Sequence, residues 1–293
     1  MNKNPIKIDS LWDFGAVAES EARFREILDG ARKHEDQSYL VELLTQIGRA
    51  QGLQANFDAA HATLDEAESL LESNMQRARV RLFLERGRTF NSSKKQEEAL
   101  PLFQKALELA LAENEEFLSV DAAHMLGIAA PPDKRIEWNK RALEMAQASK
   151  DERAQGWVGS LYNNLGYFYM EDGHYARALE YFEKLLIYSQ KKNDEDFADI
   201  ARWFIAKVHR LTEDYESALK GQMELLKKHA QSEKSDAYVY EELGEIHLAL
   251  ENEEERRSYF QLAYDAFTTD DRYVYEVKFE QDRLNRILQL ADN

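Results

Sequence analysis

The apolar positions of this chain fall at helical spacing. In the run Ala178, Leu179, Phe182, Leu185 and Leu186 they step by three and four residues, which lays one apolar stripe along an α-helix. Near the end of the chain Leu284, Ile287 and Leu288 share a face with charged residues opposite them. Only 12 Gly and 4 Pro interrupt 293 residues, so tight turns and helix breaks are few and long helices are favoured over sheets. The pattern predicts an all-α fold.

The stripe also repeats. Small residues recur at Gly48, Gly87, Gly127, Gly166, Ala206 and Gly244, at intervals of 39, 40, 39, 40 and 38 residues. A large aliphatic side chain precedes each of them (Ile47, Leu126, Leu165, Ile205, Leu243), with Arg86 the exception. A second small series follows at Ala60, Ala99, Ala178 and Ala218, and four residues on comes Leu64, Phe103 or Phe182. The sixth unit keeps Phe260 and Ala263; the third keeps Trp138, Asn139 and Ala142 after a shorter loop; the fifth has Gln222 where an aromatic is expected. A lone helix pair cannot bury its apolar stripe, whereas stacked neighbours make a continuous core. Gly166 and Ala178 are then small because paired helices approach closely there. Ser93-Lys-Lys-Gln96 reads as a capping box and Asp214 as an N-cap. Six units occupy 38–270, flanked by capping helices at 17–33 and 270–291. With no Ser/Gly-rich linker, residues 1–293 read as one domain.

The order Tyr162, Leu165, Gly166, Tyr169, Ala178, Phe182 resembles the tetratricopeptide signature, and Phe83, Gly87, Phe90, Ala99, Phe103, Ala106 repeats it. The resemblance covers roughly 38–270. The period of 39–40 exceeds the usual ~34, and in this it is similar to bacterial peptide-sensing regulators and kinesin light chains. Stretches such as SLYNNLGY also resemble bacterial repeat proteins with no assigned activity. The resemblance implies a right-handed superhelical solenoid of helix pairs whose first helices line a concave groove for a protein or peptide.

Charge and composition narrow the partner. With 38 basic against 55 acidic residues the net charge is −17, the opposite of what a phosphate backbone attracts, so no nucleic acid is expected. Cysteine is absent, which removes disulfides, thiolate metal sites and cysteine nucleophiles. Residues 1–15 lack the apolar core of a secretory signal, and no stretch is apolar enough to span a membrane. A cytoplasmic protein with no membrane partner is expected. Phosphate-loop, dinucleotide, HExxH, GxSxG and EF-hand signatures are missing, so no enzyme activity, cofactor or metal is expected. His209 and His247 occupy the slot held by Tyr169 in the fourth unit and read as core residues. The phase of the aromatics likewise assigns most of them to packing.

Phasing from the small residues places Arg49, Arg81, Arg88, His124, Asn163, Asn164, Tyr167, Trp203, Lys207 and Arg210 on the groove face of the first helices. Asn offers a donor and an acceptor to a peptide main chain, and guanidinium grips a carboxylate with two parallel bonds. The same cations could instead neutralise acidic neighbours on adjacent helices. Glu241, Glu242 and Glu245 reverse the sign in the sixth unit. The expected function is a non-catalytic scaffold or adaptor holding a protein or peptide. The alternatives are a peptide-responsive sensory regulator whose superhelical pitch changes, and self-association as a homodimer.

Overall fold

The computed structural model describes residues 6–33, 35–231, 236–270, 273 and 280–292, and every regular element among them is helical. A short 3-10 turn, Ile8–Leu11, leads into α1 (Val17–Ala31). There follow α2 (Gln37–Leu53), α3 (Phe57–Ser69), α4 (Gln76–Ser92), α5 (Gln96–Ala112), α6 (Glu116–Ala129) and α7 (Pro132–Ala148). The chain continues through α8 (Glu152–Gln155), α9 (Trp157–Glu171), α10 (Tyr175–Lys192), α11 (Glu195–Leu211), α12 (Tyr215–Gln231), α13 (Ala237–Ala249), α14 (Glu253–Thr269) and α15 (Gln281–Asp292). It divides into two compact units, Met1–Leu161 and Tyr162–Asn293.

Each unit is built from helix hairpins. In the first, α1 covers α2, and the hairpins α2/α3, α4/α5 and α6/α7 follow, with the first helices α2, α4 and α6 packed in succession. In the second, α9/α10, α11/α12 and α13/α14 are the hairpins, and α15 closes the end against α14 with Leu284 and Ile287 buried. Of the capping helix expected over 270–291, Gln281–Asp292 is helical; Asp270 caps α14, and residues 271–272 and 274–279 lie outside the described residues.

The small residues sit where paired helices touch. A Cβ added at Gly87 would lie 2.5 Å from the Phe103 ring, at Gly166 2.5 Å from Phe182, and at Gly48 2.9 Å from Leu64. The fifth unit inverts the arrangement. Ala206 takes the glycine position, and the room is made on the second helix by Gly221, whose added Cβ would meet Ala206 at 2.9 Å. Gln222, where an aromatic was expected, is fully buried and donates from Nε2 to the Trp203 carbonyl at 3.3 Å.

The turns inside the hairpins repeat as closely as the helices. Ala55, Lys94, Gly173, Glu213 and Glu251 take left-handed backbone, with φ between 58° and 75°. In each the next amide reaches back five residues, as in Asn56 N to Gln51 O and Lys95 N to Phe90 O, both 2.9 Å. This is the Schellman closure, which satisfies the last carbonyls of the first helix. It also explains why Ser93-Lys-Lys-Gln96 is not a capping box. Ser93 is consumed as the C-cap of α4, its hydroxyl donating to the Phe90 carbonyl at 3.0 Å, and α5 begins after Lys95 with no side-chain cap. Asp214 does accept from the Ser217 amide at 3.2 Å.

Candidate functional site

Within residues 162–293 the first helices α9, α11 and α13 border a cleft of about 740 Å³. The cleft exists because α11 presents an apolar and aromatic face to it. Ile200, Trp203, Phe204 and Lys207 recur at three- and four-residue spacing, on the side away from the buried Ala198 and Ala201. Ile200 is 40% exposed and Tyr167, arriving from α9, is 39% exposed, and both line the cleft. Trp203 is fixed by its indole N–H, which donates to the Tyr238 carbonyl at 3.1 Å.

Charged groups surround this floor, and nearly all are already paired. Glu241 binds Arg283, with one contact at 3.1 Å; Glu242 binds Arg210, and Glu245 binds Arg286. Two of these arginines come from α15, so the acidic end expected from Glu241, Glu242 and Glu245 is neutralised by the capping helix. Burial pushes the Glu242 carboxyl above its ordinary range, opposed by Arg210. Asp199 is held by Lys228 at 2.7 Å, Arg202 at 2.6 Å and His229 at 3.2 Å. Burial alone would raise its pKa, and these hydrogen bonds more than offset that and hold it low.

Two polar groups in the cleft are not spent. The Lys207 ammonium lies 4.7 Å over the Trp203 ring and has no carboxylate within ion-pairing distance among the described residues. The Asn163 Oδ1 is buried with no hydrogen-bond partner. A buried carbonyl oxygen without a donor is costly.

Of the ten side chains phased to the groove, the structure brings Asn163, Tyr167, Trp203, Lys207 and Arg210 to this cleft. Asn164 does not line it. Arg49, Arg81, Arg88 and His124 belong to the first unit, where the three arginines pair with acidic neighbours. Arg88 joins Glu85 (2.7 Å) and Asp121; Arg49 approaches Glu85 at 3.4 Å; Arg81 holds Asp9 (2.7 Å) and Glu42 (3.1 Å). Burial would raise the Asp121 pKa, yet the adjacent Arg88 and Arg49 hold it below the ordinary carboxylate range. These arginines neutralise acidic neighbours, the second of the two uses their sequence positions allowed.

The His124 ring lies 4.6 Å from that of Trp157, tilted by 37°, with Nδ1 buried and unpartnered. Burial pushes its pKa down to about 4, helped by Arg88 and Arg49 and opposed by Asp121. The unfolded chain takes this proton near pH 6.5 and the folded chain does not, so stability falls as pH drops between those values. From pH 7 to pH 5 the wild type is expected to lose about 2 kcal/mol at this site. His124→Gln should remove that part of the slope, as urea melts at the two pH values would read; an identical slope in the variant would contradict the assignment.

The cleft residues that sequence phasing missed include Ile200, Phe204, Leu225, Tyr238 and Arg283. For Ile200 the signal was present: an unburied isoleucine one turn before Trp203 on the groove side. Arg283 gave none, because α15 reads from sequence only as a cap. Among the described residues no group of three or more His, Asp or Glu side chains is placed to hold a metal ion, and no helix is long and apolar enough to cross a membrane.

A tetratricopeptide repeat model matches residues 159–191, which cover most of α9 and α10 and the turn between them. The chain carries a tetratricopeptide repeat. Solved structures extend the likeness to the fold as a whole. The apo form of RapI aligns with TM-score 0.69 at 15% identity, over 93% of this chain and 78% of that one. NprR, the quorum sensor from B. thuringiensis, aligns in its apo form with TM-score 0.67 at 16% identity, over 97% and 79%. A tetratricopeptide repeat protein from Parabacteroides merdae aligns with TM-score 0.57 at 18% identity, over 98% and 97%. No curated protein matches the chain. The tetratricopeptide fold is thus shared across proteins with little sequence in common, which is what nearest-neighbour helix packing allows.

Proposed function

We propose that residues 162–293 bind an extended peptide segment of a partner protein in the cleft between α9, α11 and α13, with no catalytic step. The observation that carries this reading is the meeting of two unspent polar groups, Lys207 and the Asn163 Oδ1, with the exposed apolar surface of Ile200 and Tyr167. Each finds its complement in a peptide. The amide oxygen accepts a main-chain N–H, the ammonium holds a carboxylate, and the apolar floor takes one large side chain. Trp203 and Arg210 hold the floor and the far wall in place rather than supplying free valences.

NprR has also been solved in complex with its cognate peptide NprX, aligning here with TM-score 0.60 at 16% identity over 97% of this chain and 82% of that one. That likeness favours a second reading, a peptide-responsive regulator, which adds to binding the requirement that the ligand favour one of two conformations.

The test uses fluorescent peptides selected from a randomised library on the wild-type chain. Ile200→Asp and Lys207→Glu are each expected to weaken capture at least tenfold, about 1.4 kcal/mol, while helicity and Tm stay at wild-type values. Full affinity in both variants would remove the cleft from the function.

A further inference from the structure

The first-helix face of the first unit is not empty. Residues 6–14, ahead of α1, lie across α2 and α4 and bond to them as a bound peptide would. The Asp9 carboxylate accepts two hydrogen bonds from Arg81 Nη2, at 2.7 and 2.9 Å, and lies 3.7 Å from Arg153. The Trp12 indole N–H donates to Gln46 Oε1 at 2.9 Å, and the Tyr39 hydroxyl donates to the Ile6 carbonyl at 2.9 Å. Ile8 is buried in the core of the unit. Trp12 and Phe14 stack at 4.7 Å, and the Arg49 guanidinium sits 5.5 and 5.3 Å from their rings.

The positions that receive the segment are the register equivalents of those lining the cleft of residues 162–293. Arg49 directly follows Gly48 as Lys207 follows Ala206. Arg81 stands six residues before Gly87, as Ile200 stands six before Ala206 and Tyr238 six before Gly244. Gln46 stands two before Gly48, as Phe204 stands two before Ala206. One surface of the repeat, reused in both units, is thus open in one and filled by the chain itself in the other. The filling is built from a carboxylate on an arginine, an aromatic pair on another arginine, and an apolar anchor.

We infer that residues 6–14 are a tethered ligand of the first unit, covering a second binding face that takes an extended acidic and aromatic segment only in competition with them. A short tether supplies an effective concentration of about 1 mM or above, so a free segment of the same chemistry is excluded until the tethered one is weakened. The inference stands on the first unit alone, and its failure leaves the cleft of residues 162–293 untouched.

The probe is a fluorescent synthetic peptide of residues 6–16, titrated against the full chain. The wild type is expected to bind it weakly. The double variant Asp9→Lys/Trp12→Ala, with its own segment released, is expected to bind it at least tenfold more tightly. The same peptide carrying those two substitutions should not bind either protein. Equal affinity for wild type and variant, or no binding by a variant that keeps wild-type helicity, would overturn the inference. If the variant does not fold, the wild type decides. Hydrogen exchange of residues 6–14 should accelerate as the free peptide is raised past the tether's effective concentration. Unchanged exchange would show that the segment is a permanent part of the fold.

Discussion

Arg88→Met is expected to destabilise the chain by about 3–5 kcal/mol, because it strands two buried carboxylates. Glu85 and Asp121 expose only 3% and 4% of their side chains, and Arg88, itself 14% exposed, is the cation common to both. Asp121 sits below its ordinary pKa range only because that guanidinium, with Arg49, outweighs its burial. With Arg88 gone, either the carboxylate stays charged without its main partner or it takes up a proton at neutral pH, and both routes cost free energy. Replacing the carboxylates as well should return much of the loss, since a neutral amide needs no counter-charge. Thermal and urea unfolding of Arg88→Met beside the triple variant Glu85→Gln/Arg88→Met/Asp121→Asn reads this out. A single variant as stable as wild type, or a triple variant no better than the single, would remove the buried network from the account of stability. Charge reversal at Arg88 is for the same reason unsuited to testing partner binding, whereas Lys207 carries no such structural duty.

The second large effect is opposite in sign at two helical glycines. Gly87→Ala would place a methyl 2.5 Å from the ring of Phe103, which is fully buried and has nowhere to retreat. Overpacking of this kind costs about 1–3 kcal/mol even after the gain in helix propensity. Gly30, inside α1, has nothing within 4 Å of an added Cβ, so Gly30→Ala keeps the propensity gain of up to about 1 kcal/mol. Adding Phe103→Leu to Gly87→Ala should recover part of the loss, since the first repeat already pairs its Gly48 with Leu64. Denaturation midpoints of the three variants check the set. A destabilising Gly30→Ala together with a neutral Gly87→Ala would mean that the glycine period does not mark the contact between paired helices.

The helix pairs were legible because close packing between two helices imposes a strict size rule, and a size rule repeats visibly along a chain. Gly48, Gly87, Gly166 and their partners needed nothing beyond their period. The fifth unit was harder to read, because the space was moved from the first helix to the second, at Gly221, and a shift of that kind leaves the volume constant while breaking the pattern. The groove cations were legible in position but not in use. Arg88 and Lys207 occupy the same register, yet the residue six before the small position of the following unit is Asp121 in one case and Tyr238 in the other. A carboxylate there pairs with the cation, and a tyrosine leaves it without an ion pair. That rule could have been applied to the sequence alone. The roles of Arg283 and of residues 6–14 could not, since both depend on where a segment outside the repeat comes to rest, and no periodicity constrains that.

The most direct measurement places a photoreactive phenylalanine analogue at Ile200, in the cleft of residues 162–293, and at Ile187, an equally apolar residue on α10 that is 53% exposed and does not line it. Both proteins are irradiated with the same library-selected peptide. Adducts from position 200, absent at 187 and suppressed by unlabelled peptide, are the expected result. Adducts from 187 with none from 200 would contradict the assignment of the working surface to the first helices.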